Sequence, residues 1–125
     1  RGMEPVLWAD PYGYAVLPAG HPVPDGVSPF ALIAEEEGMT LVAFVHDLAA
    51  AGMAAGSHWA RITLTIHSDL AAVGLTAAFA QALAARGISA NVVAGFHHDH
   101  IFVQWDRRQD ALDALRQLAK GASDA

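Results

Sequence analysis

Arg61-Ile-Thr-Leu-Thr-Ile-His67 alternates strictly, and Ser68-Asp69-Leu-Ala-Ala-Val73-Gly74-Leu75 follows it at once. The first stretch reads as a strand with Ile62, Leu64 and Ile66 on one face and Thr63, Thr65 and His67 on the other. Ser68 and Asp69 offer N-cap oxygens for a helix. Leu75, Phe79, Ala82, Leu83 and Arg86 then fall near one helical face, and Gly87 suits a left-handed stop. Working outward toward the C-terminus, Ile88–Ala94 and His100–Trp105 read as two further strands, joined through Gly95 and Phe96–Asp99. Asp106, with Gln109 three residues on, predicts a capping box for a last helix whose stripe is Leu112, Leu115, Leu118 and Ala119. The order β-α-β-β-α opens a split β-α-β unit, in which two helices cover one face of an antiparallel sheet. Its fourth strand is missing from the sequence that follows. It must come from the first half of the chain, from another subunit, or not at all.

Outward in the other direction the texture changes. All six prolines, Pro5, Pro11, Pro18, Pro22, Pro24 and Pro29, precede residue 58. Tyr14–Leu17, Phe30–Ile33 and Thr40–Val45 read as short strands, Pro24-Asp25-Gly26 as a turn, and His46–Met53 as a short helix. Glu35-Glu36-Glu37-Gly38 reads as a solvated turn. This half resembles a degenerate second copy of the unit. The division expected is residues 1–58, residues 59–120, and a loose tail at 121–125.

Composition bounds the function. The 125 residues are 54 % hydrophobic and 16 % charged, which fits one compact core and excludes disorder. Thirteen acidic against seven basic residues, a net charge of −6, argue against nucleic acid and anionic membrane as partners. No apolar run reaches the ~18 residues of a membrane span. Arg1-Gly2-Met3 opens no signal peptide, and the absence of cysteine removes disulfides, zinc–thiolate sites and thiol nucleophiles, so a cytoplasmic protein is expected. The open sheet face carrying Thr63, Thr65 and His67 predicts a covering layer or a homo-oligomer, a dimer in the simplest case.

Three groups of residues could carry chemistry. His97-His98-Asp99-His100 has the donor types that suit Zn²⁺ or Ni²⁺, although alternation lets only His98 and His100 share a face. Ser68 adjoins His67, yet strand neighbours diverge and nucleophile-elbow spacing is lacking. The junction 67–75 is the third group. Unsatisfied N–H groups at a helix start hold carboxylates, Asp69 could meet an ammonium, Gly74 permits close approach, and Asn91 on the adjacent strand donates and accepts. Together these suit a small zwitterion such as an amino acid.

Residues 61–77 and 87–103, with Glu35-Glu-Glu-Gly-Met-Thr40 in the first half, resemble the ACT domain family, and within it a bacterial branch of stand-alone tandem ACT proteins. The resemblance is carried by Val73-Gly74-Leu75 and Asn91-Val92-Val93 and spans roughly residues 12–119. It implies an α+β, ferredoxin-like (βαββαβ) fold, an antiparallel sheet with helices on one face, and a regulatory rather than catalytic role without a cofactor. Ligands in that family sit where the first strand meets the first helix. Carried over, this marks Ser68, Asp69, Val73, Gly74, Leu75, Asn91 and Val92. The expected protein is a small-molecule, amino-acid-binding sensor; the alternatives are a metal site or metal-dependent enzyme built on His97, His98, Asp99 and His100, or a structural assembly module.

Overall fold

A computed structural model describes residues 4–64 and 75–124. Contacts divide the chain into two units: Asp10–Trp59 forms one, and the residues through Ala9 join those from Ala60 onward to form the other. The chain therefore starts in the second unit, leaves it, and returns. Residues 4–9, which the sequence assigns with the first half, cluster with the unit built by the second half.

That unit contains β1 (Pro5–Leu7), β5 (Trp59–Leu64, entering at Ala60), α2 (Leu75–Ala84), β6 (Asn91–Ala94), β7 (Asp99–Gln104) and α3 (Arg108–Asp124). The sheet order is β6-β7-β5-β1. The fourth strand is thus the N-terminal one, antiparallel to β5 with Pro5 opposite Leu64, Val6 opposite Thr63 and Leu7 opposite Ile62. Alternation then sorts the sheet. Ala60, Ile62, Leu64, Ile101 and Val103 turn to one face, where Phe79 and Leu83 of α2 and Ala111, Ala114 and Leu115 of α3 close the core. Leu7 packs on the same side, so β1 adds an apolar contact as well as backbone bonds. The fold is α+β and ferredoxin-like, with the fourth strand supplied from the front of the chain.

The end of α2 follows the glycine at 87. Its φ of +70° is left-handed. Gly87 N–H donates to Ala84 O at 2.9 Å and Ile88 N–H to Leu83 O at 3.0 Å, the paired bonds of a Schellman stop, with Ile88 and Leu83 both in the core. Arg86 reaches to α3, donating to Asp113 Oδ2 (3.1 Å), Asp110 O (3.2 Å) and Gln117 Oε1 (3.2 Å). The expected capping box at Asp106 is not the start of the last helix. The chain turns directly from β7 into a 3₁₀ turn over Trp105–Arg107, whose N-cap position is Gln104 and carries no side-chain cap bond. Trp105 packs against the core and pulls the helical start forward, while Gln104 Oε1 accepts the Ser89 N–H at 3.1 Å. At the other end α3 runs through Gly121 to Asp124, where the sequence suggested a loose tail.

The unit Asp10–Trp59 holds β2 (Tyr12–Leu17), β3 (Ala31–Glu35), β4 (Gly38–Phe44) and α1 (Val45–Ala50), with strand order β3-β4-β2, antiparallel throughout. Glu36 and Glu37 form the tight turn between β3 and β4. Pro18, Pro22, Pro24 and Pro29 occupy the connection from β2 to β3, where fixed φ and missing N–H groups exclude the crossover helix that the other unit has as α2. The core face, Ala15, Leu17, Leu41 and Ala43, is instead covered by Leu48 of α1 and Val27 of the proline loop, with Val23, Ala51, Met53 and Ala55 around them.

Candidate functional site

The sheet face of the larger unit that turns away from α2 and α3 carries the polar side chains of β5 and β7. Alternation places Arg61 and Thr63 there, opposite in direction to Ile62 and Leu64. Pairing with β6 puts Val93 beside His100 and Asn91 beside Phe102, so these four share that face. Just beyond β1, the Trp8 N–H continues the strand pairing to Arg61 O at 2.9 Å. Trp8 then folds its indole over the sheet and donates Nε1–H to Thr63 Oγ1 at 2.8 Å. The Arg61 guanidinium lies 3.9 Å from the Trp8 ring centroid, a cation–π stack.

His100 completes the group. Its Nδ1 lies 3.0 Å from Thr63 Oγ1 and 3.4 and 3.3 Å from Arg61 Nε and Nη2. Arg61 has only donors, and Thr63 Oγ1 already accepts from Trp8, so Nδ1 is the acceptor and the ring proton sits on Nε2. Burial, then the Arg61 charge and then His98, lower the His100 pKa from 6.5 to about 4. At neutral pH the imidazole is neutral, and its basic nitrogen is engaged. The arrangement clamps β1 onto β5; it does not offer a general base. Thr63, predicted to lie on an open face, is 8 % exposed because Trp8 covers it.

The histidine run lies on the β6–β7 turn, which Gly95 N–H closes on His98 O at 2.8 Å. A Cβ at Gly95 would stand 2.9 Å from His98 O and 3.5 Å from His100 Nε2, so only glycine lets the turn fold back beneath the imidazole. The rings of His97 and His98 are 6.4 Å apart and those of His98 and His100 6.3 Å. His97 sits edge-on to the exposed Phe96 at 4.9 Å. Among the described residues no three His, Cys, Asp or Glu side chains gather as a metal-binding group. Arg61 and Thr63 engage the Nδ1 side of His100.

Of the ligand-site residues, Leu75 is the first residue of α2. Asn91 is exposed on β6 on the His100 face, and Val92 turns the other way to pack on the helix-side core. The two therefore do not line one surface with their side chains. Ser68, Asp69, Val73 and Gly74, like Thr65, Ile66 and His67, lie outside the described residues. Trp8, Arg61 and Thr63 were not singled out as a group by sequence reasoning. Alternation marks Arg61 and Thr63 as sharing a face, but no local signal joins them to Trp8, whose strand is added from the front of the chain.

Comparison with known proteins bears on both units. Residues 55–117 match one ACT domain family profile and residues 1–59 match a second. A protein of unknown function from Vibrio cholerae, described as a possible transport protein, is 44 % identical with a TM-score of 0.83, covering 94 % of this chain and 91 % of that one. A protein from Agobacterium tumefaciens superposes with a TM-score of 0.77 at 17 % identity, over 94 % of this chain and 89 % of that one. The ligand-free regulatory subunit of aspartate kinase from Thermus thermophilus shares the fold at 14 % identity and a TM-score of 0.58, over 94 % and 98 % of the two chains. No curated protein matches the sequence. Among the described residues no helix is long and apolar enough to cross a membrane.

Proposed function

The chain belongs to the ACT domain family, and from that premise we propose that it is a regulatory protein that binds a small zwitterion, an amino acid, where β5 leads into α2. The observation that carries this reading is the contrast between the units. The larger one has all four strands and an intact crossover helix, whereas prolines replace that helix in the smaller one. The start of a crossover helix supplies bare N–H groups for a carboxylate where a strand leads into it, and the larger unit is the one with such a helix. In this reading backbone N–H groups near Gly74 take the carboxylate, Asp69 takes the ammonium, and Ser68, Val73 and Leu75 shape the pocket. Exposed Asn91 adds a donor and an acceptor from β6, and Val92 contributes through its backbone.

The test is a thermal-shift screen of the full chain against the common amino acids. A ligand at about 100 times its Kd adds about 2.7 kcal/mol to stability. Gly74→Trp abolishes the shift in a protein that stays folded, Asn91→Ala weakens it, and His98→Ala leaves it unchanged. If none of the amino acids raises the melting temperature, the reading fails.

A further inference from the structure

We draw no further inference here: the strongest candidate, the side-chain cluster of Trp8, Arg61, Thr63 and His100 on the sheet face of the larger unit that turns away from α2 and α3, belongs to the clamp of β1 on β5 already described, and nothing in the structure points to a ligand there.

Discussion

His100 is the residue on which the polar face turns, and its titration has a definite sign. Its folded pKa lies near 4 against 6.5 when unperturbed, so between these values the unfolded chain binds the extra proton. The stability it contributes is complete above about pH 6.5 and is lost as pH falls toward 4. Thermal unfolding followed over this range should show a steeper decline for the native chain than for His100→Asn, whose smaller amide keeps an acceptor oxygen but does not protonate. Trp8 offers a second test. Trp8→Phe keeps an aromatic surface beneath Arg61 but removes the indole N–H that donates to Thr63 Oγ1, and should cost about 1 kcal/mol in chemical denaturation. Neither residue's role was legible locally. The sequence shows a run of three histidines and an aspartate, with metal as one alternative; in the fold His100 Nδ1 meets Arg61 and Thr63.

At the scale of elements, sequence patterns did most where the signal was local. Ile62 and Leu64 point into the core as alternation requires, and Gly87 stops α2 with the left-handed φ expected of it. Gly87→Ala should therefore cost about 1–2 kcal/mol, the left-handed penalty of a Cβ, read from the denaturant midpoint. The start of α3 was misread because a capping box is a local motif, whereas the observed start is set by Trp105 docking on a core assembled from distant strands. The prolines between β2 and β3 illustrate the opposite case. They exclude a helix on chemical grounds alone, and a connection without one is what the smaller unit has.

At the scale of the whole molecule, the chain is two ACT units in which one strand of the larger unit precedes the smaller one in sequence. Residues 60–124 by themselves lack β1, which leaves the β5 edge unpaired and one side of the Leu7 contact empty. That fragment should fail to show a cooperative melt. Appending residues 4–9 after Asp124 through a short flexible linker restores the order βαββαβ and should restore the melt; α3 and β1 already touch in the folded unit. On the proposed reading, calorimetry of the full chain should find one amino-acid equivalent per chain rather than two, because only the larger unit has a crossover helix.

The sequence by itself determined the strand faces, the stop of α2, the absence of a helix among the prolines and the family resemblance. Each follows from residue type and spacing over a few positions, where backbone sterics and burial act locally. Tertiary structure alone decided which strand completes the sheet, and with it the clamp of Trp8, Arg61, Thr63 and His100. Pairing of Val6 with Thr63 joins residues that are far apart along the chain, and edge hydrogen bonds carry no pattern that names their partner in advance.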